Sequence, residues 1–185
     1  MAGWSLQGFH LQHHYTLSTE CLIDVYNGDV EQAWQRVEER WPALHASSLL
    51  RIQMIRIEAA YLHGRVALAV AGKTRDEKLI AQAAEDAERI RQEKMEWSTG
   101  LALSLEASVA ALRGDRARGR ALMAEAVARF EKSEMMLHAH ACRRRLGEVT
   151  EGEEGAALVA EADEWMRSQR VKRPERLTNV LAPPM

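Results

Sequence analysis

The stretch Leu101–Lys132, LALSLEASVAALRGDRARGRALMAEAVARFEK, decides how the whole chain is read. It divides into two runs of about four helical turns each, bent back on one another at Arg113-Gly114-Asp115. Gly114 can take the left-handed conformation that closes a helix. Asp115 can then accept backbone N–H groups that open the next one. Leu101, Leu105, Ser108 and Leu112 share one face of the first run, and Leu122, Ala126 and Phe130 share one face of the second. The small residues Ala107, Ala110, Gly119 and Ala126 let two backbones approach closely. One hairpin cannot bury both of its apolar faces, so it needs similar neighbours along the chain.

The composition fits that reading. The chain is 46% hydrophobic but only 5% aromatic, with four prolines in 185 residues, two of them among the last three. This is the profile of an all-helical protein with enough length for a substantial core. Lys and Arg total 25 against 27 Asp and Glu, which leaves no basic field to draw in nucleic acid or anionic lipid. No run of ~18 apolar residues could span a bilayer, and no charged-then-apolar leader is evident. Cys21 and Cys142 lie far apart without a motif, so they read as reduced thiols of a cytoplasmic protein.

Taken in order, a first helix is expected from about Gln7 to Tyr26. Asn27-Gly28-Asp29 supplies a stop and a start, and a second helix follows from Val30 to Arg40, ended by Trp41-Pro42. The third, roughly Ser47 to Ala71, has two apolar faces. Ile52, Ile55, Leu62, Val66 and Val70 form one, while Leu50, Met54, Ile57, Tyr61 and Leu68 form the other. Two polar stripes, Arg51/Glu58/Arg65 and Arg56/His63, separate them, the pattern of a helix sandwiched between neighbours. Gly72-Lys73 is expected to close it, with Thr74 and Glu77 as a capping box for a fourth helix to about Glu93. That helix shows a narrow stripe, Leu79, Ala83, Ala87 and Ile90. After the hairpin, a seventh helix is expected from Glu134 to Leu146, stopped by Gly147, and an eighth from Glu153 to Gln169.

The turns at Gly28, Gly72 and Gly114 are 44 and 42 residues apart. Helical hairpins at such a spacing are the mark of an α-solenoid, with a period longer than the ~34 of a standard tetratricopeptide unit. The expected fold is therefore all-α, a right-handed solenoid of about four tetratricopeptide-like hairpins over residues 1–170, followed by a C-terminal tail, 171–185. Trp4, Leu6, Phe9 and Leu11 place apolar surface at the N-terminal end, which predicts self-association through the first hairpin or fraying of the first dozen residues.

Several stretches together resemble the C-terminal helical-repeat region of large bacterial signalling proteins, in which a serine/threonine kinase and a STAND-type ATPase precede degenerate tetratricopeptide repeats. They are the Tyr26-Asn27-Gly28-Asp29 turn, Trp41-Pro42, Ser48-Leu49-Leu50-Arg51 with Gln53, and the 101–131 hairpin. The end adds Trp165-Met166, Gln169, Val171, Arg173-Pro174 and Arg176, then Leu181-Ala182-Pro183. The resemblance implies a regulatory region without kinase or nucleotide-binding motifs of its own. Where the resembled proteins carry a glycine after the Trp-Met segment, this chain has Arg170. Either Arg170 adopts the left-handed conformation, or the eighth helix runs on and stops before Pro174.

Motifs that could carry chemistry also have plainer readings. Gly72-Lys73-Thr74 resembles the end of a phosphate-binding loop, but the required first glycine is Ala67 and a helix precedes it. His10, His13 and His14 have a spacing that could chelate a metal. Alternate residues such as His138 and His140 point ~200° apart on a helix, which defeats chelation. Arg143-Arg144-Arg145 reads as cations in the last turn of a helix. No nucleophile–base pair stands out, so neither catalytic residues nor cofactors nor metals are assigned. The expected function is a non-catalytic interaction module binding a protein or peptide, such as linked kinase or ATPase domains. Arg51, Arg56, Glu58, His63 and Glu106 are the candidate partner surface. The alternative is a small-ligand sensor with a pocket between helices.

Overall fold

Arg113–Asp115 makes the turn that its residues dictate: Gly114 has φ 95° and the Asp115 carboxylate accepts Arg118 N–H at 3.1 Å. The computed structural model in which this is seen describes residues 8–185, and among these it is all-helical, without strands. The helices are α1 (Leu11–Asn27), α2 (Val30–Ala46), α3 (Gln53–Thr74), α4 (Glu77–Gln92), α5 (Glu96–Leu112), α6 (Arg116–Lys132), α7 (Met136–Glu148), α8 (Gly152–Ser168) and α9 (Pro174–Leu181). A 3-10 turn, Ser48–Arg51, leads into α3. Trp4 and Leu6 lie outside the described residues; the first helix does not run from near Gln7 but starts at Leu11, because His10, with an extended backbone, caps it.

Each of the helices α1 to α8 packs on the next in sequence, α3 also packs on α1 and α5, and α9 returns to touch α1, α7 and α8. The two-faced reading of α3 explains why it takes so many neighbours. Ile55, Leu62, Val66 and Val70 on one face, and Ile57, Tyr61 and Leu68 on the other, are all buried. Ile52 and Met54 are instead half exposed, because Ile52 caps the helix with an extended backbone and Met54 lies in its first turn. Gly119 shows why the central hairpin closes tightly: a Cβ there would stand 2.9 Å from the Ala107 carbonyl oxygen and 3.0 Å from Ala111 Cβ.

Several boundaries differ from expectation. α2 does not stop at Trp41-Pro42 but continues to Ala46. Proline forfeits the bond to the carbonyl four residues back, but Pro42 and Glu38 are both exposed, so water can take that carbonyl. Beyond the proline, buried Leu44 holds the last turn against the protein. α3 likewise runs through Gly72 to Thr74 and is closed by Arg75 in the left-handed conformation. The cap of α4 is Asp76, accepting Lys78 N–H at 2.9 Å, rather than Thr74. The buried stripe of α4 centres on Ile80 and Asp86, with Leu79 at its margin. Glu134 does not open α7: at φ 56° it ends the α6–α7 turn, and α7 starts at Met136. Gly147 lies within α7, where a Cβ would stand 2.7 Å from the Gly155 carbonyl oxygen; it permits close packing on α8 rather than ending a helix.

The C-terminal segment belongs to the packed body. α9 opens with Pro174 in its first turn, and Thr178, Val180, Leu181 and Ala182 are buried. No helix among the described residues is long and apolar enough to cross a membrane.

Candidate functional site

Side chains of α3, α5 and α7 converge on the end of α9 and the strand-like residues after it. Tyr61 Oη donates to the Leu181 carbonyl at 2.7 Å, and Arg65 Nη1 to the Val180 carbonyl at 3.2 Å. Arg145 Nη2 donates to the Ala182 carbonyl at 3.1 Å and to Asn179 Oδ1 at 2.7 Å. The Ser108 hydroxyl lies 3.2 Å from both the Pro183 carbonyl and that of Ser104 in its own helix, and donates to one or the other. Three consecutive carbonyls, from Val180 to Ala182, thus meet side-chain donors, and the Ser108 hydroxyl lies within reach of the fourth, that of Pro183. The first two belong to the last turn of α9, where main-chain carbonyls lack helical partners and cations are favoured. Burial pushes the Tyr61 phenol up to about 12, so it stays a donor at neutral pH.

Beside Leu181 an apolar hollow of about 320 Å³ remains, walled by Leu22, Tyr61, Trp97 and Leu101, with Glu58, Arg65 and His138 at its edges. Burial, then the Arg65 charge, lower the His138 imidazole to about 4. Arg65 stacks over the Tyr61 ring at 4.9 Å, makes no ion pair among the described residues, and leaves its buried Nε without a partner.

A second recess lies on the other side of α3. The His63 ring nitrogen Nδ1 donates to the buried Asp86 carboxylate at 2.6 Å, whose other oxygen accepts from Arg89 at 2.9 Å. Trp41 stacks on the His63 ring with centroids 4.2 Å apart. A cleft of about 460 Å³ between α2, the 3-10 turn, α3 and α4 opens there, bounded by Trp41, His45, Leu50, Arg56, Asp86 and Glu93 among others. No hydroxyl or thiol lines it.

The five surface residues singled out in the sequence are distributed over separate places. Arg51 is exposed on the 3-10 turn. Arg56 grips Glu93 through two bonds, at 2.5 and 2.8 Å, and caps the Leu50 and Arg51 carbonyls. His63 lies on that same side. Glu58 faces the opposite side, 3.3 Å from buried His14. Glu106 forms a bidentate pair with Arg91 of α4. The residues that grip the tail, Tyr61, Ser108 and Arg145, were not among them. Their apolar or helix-end signals look like packing, and their partners are 120, 75 and 37 residues away.

The remaining motifs have structural employment. Lys73 reaches the Gly28 carbonyl at 3.1 Å and the Glu31 carboxylate at 3.3 Å. His13 accepts the His10 N–H, whereas His14 is buried against Glu58. Among the described residues no group of three or more His, Cys, Asp or Glu is placed to hold a metal ion. The three arginines of α7 are not carbonyl caps of their own helix. Arg143 pairs with Glu131 and Glu161, Arg144 with Asp163 and Glu148, and Arg145 with Glu148. The two cysteines are free and buried, and desolvation raises each thiol to about 12. Comparison with protein-family models, with curated proteins and with solved structures finds no match to the chain.

Proposed function

We propose that this chain is a non-catalytic interaction module, a right-handed α-solenoid of four tetratricopeptide-like hairpins that binds a protein or peptide segment. The groove is the one lined by α1, α3, α5 and α7. The observation that carries the reading is the alignment of Tyr61, Arg65, Arg145 and Ser108 on consecutive main-chain carbonyls. Side chains that hold a backbone rather than a particular side chain suit recognition of an extended or helix-ended segment. By the resemblance noted above, the module is a cytoplasmic regulatory part of a bacterial signalling protein, and its partners include linked kinase and ATPase domains.

A second reading, a small-ligand sensor, draws on the cleft beside Trp41, His63 and Asp86. Thermal shift separates the two, since only a ligand of the native state raises the melting temperature. Proline-containing peptides are expected to raise it saturably, with the effect weakened by Tyr61→Phe. If a metabolite panel gives the shift and no peptide does, the sensor reading replaces the groove.

A further inference from the structure

The polar groups that the groove offers to the tail are all donors: a phenol, a hydroxyl and two guanidinium groups. The segment seated there matches them with an unusual economy. Ala182 N–H is already spent on the Thr178 carbonyl at 2.8 Å, and Pro183 and Pro184 have no N–H at all. From Ala182 to Pro184 the tail therefore presents carbonyls and no unmet donor. An ordinary extended peptide would bring N–H groups that the two guanidinium groups cannot accept, so each has to reach the Tyr61 or Ser108 oxygen or the Glu58 carboxylate, or be left buried and unmet at a cost of about 1–3 kcal/mol.

We infer that the partner is an extended, proline-bearing segment of the same chemistry as Val180–Pro184, and that the chain's own tail is a tethered competitor for that seat. This rests on the peptide-groove reading. The tail is an imperfect occupant. Arg65 Nε and Thr178 Oγ1 are buried at the contact without hydrogen-bond partners, and the hollow of about 320 Å³ beside Leu181 is unfilled. A partner with a larger apolar residue there and a further acceptor near Arg65 fills the hollow and pairs the Arg65 Nε. The tether is short: α8 ends at Ser168 and α9 begins at Pro174. It keeps the tail at a high local concentration, which a free partner must overcome.

One position separates the tail from the rest of the protein. A Cβ built on Gly72 of α3 would stand 2.6 Å from Pro184 Cγ and 3.2 Å from Pro184 Cβ, and would meet nothing else within 4 Å. Gly72→Ala in the full chain therefore crowds the tail alone, while alanine is the better helix former. The experiment compares wild type and Gly72→Ala in three ways: urea stability, amide exchange of residues 178–182, and binding of a labelled peptide of residues 174–183, which lacks Pro184. The variant is expected to stay folded at a lower urea midpoint, because the tail's buried contacts are lost, to lose tail protection, and to bind the peptide about tenfold more tightly, because its binding-competent fraction is larger. Adding Tyr61→Phe should weaken that binding. Equal affinity for wild type and variant would overturn the competitor role while leaving the groove reading intact. So would a variant that fails to fold, or one whose tail amides exchange only with those of α3 and α5; either makes the tail part of the core. A variant with a released tail that binds no peptide would overturn both.

Discussion

Arg170→Gly tests whether the end of α8 is closed as its hydrogen bonds indicate. Val171 N–H reaches the Met166 carbonyl at 3.0 Å and Arg170 N–H the Arg167 carbonyl at 2.9 Å, the paired bonds of a Schellman turn. Arg170 supplies the left-handed residue, at φ 65°, where the resemblance would place glycine. Its side chain is exposed and makes no hydrogen bond or ion pair among the described residues. Three effects set the magnitude. Removing the Cβ relieves about 1–2 kcal/mol. The freer unfolded chain takes back about 0.5–1. Losing a cation near the helix end costs about 0.3–1 more. The three nearly cancel, leaving a change centred near zero within about 1 kcal/mol either way. Arg170→Ala is the decisive control, because it removes the same charge and keeps the Cβ. Glycine should be more stable than alanine by about 0.5–1 kcal/mol, read from urea midpoints at equal slope. If glycine is instead the less stable by about that amount, the residue is helical and the turn is wrong.

Ile55→Ala and Ile57→Ala should each cost about 2–5 kcal/mol in urea unfolding, since both side chains are buried on different faces of α3; a wild-type midpoint for either would remove one face of the sandwich. His138 gives a pH signature. Its imidazole is lowered from 6.5 to about 4, so between those values the unfolded chain holds a proton that the folded chain does not. Its contribution is therefore complete above pH 6.5 and lost as pH falls toward 4, on the order of 3 kcal/mol. His138→Gln should be less acid-sensitive than wild type over that window, and parallel stability curves would show that the imidazole titrates normally.

How much of the fold the sequence discloses depends on which residues do a given structural job. The turns after α1 and α5 are legible because Gly28 and Gly114 carry the positive φ. The same double hydrogen bond closes α6, with Met135 N–H on the Phe130 carbonyl at 2.9 Å and Glu134 N–H on that of Glu131 at 3.0 Å, yet its left-handed residue is a glutamate. Arg75 and Lys94 also have positive φ. Nothing in a side chain that merely tolerates a conformation announces it. Conversely, Gly72 and Gly147 look like helix stops and are sites of close approach, the first to Pro184 and the second to Gly155. The two-faced pattern of α3 was legible because burial on both sides needs a periodicity that no turn or cap imitates.

The groove was less legible, for a reason that lies in how it is built. A donor that holds a backbone carbonyl places no demand on the sequence of the segment it holds, so no complementary motif marks the pair. Tyr61 reads as one more apolar position of α3, Ser108 as a small residue of α5, and Arg145 as one of three cations near a helix end. Only the partner has a signature, and it is an absence of donors: Pro183-Pro184, preceded by Ala182 whose N–H is used within the segment. In a solvated tail those prolines need no explanation. Packed against side chains that donate to its carbonyls, the tail gains from prolines because they bring no N–H of their own that would need a partner.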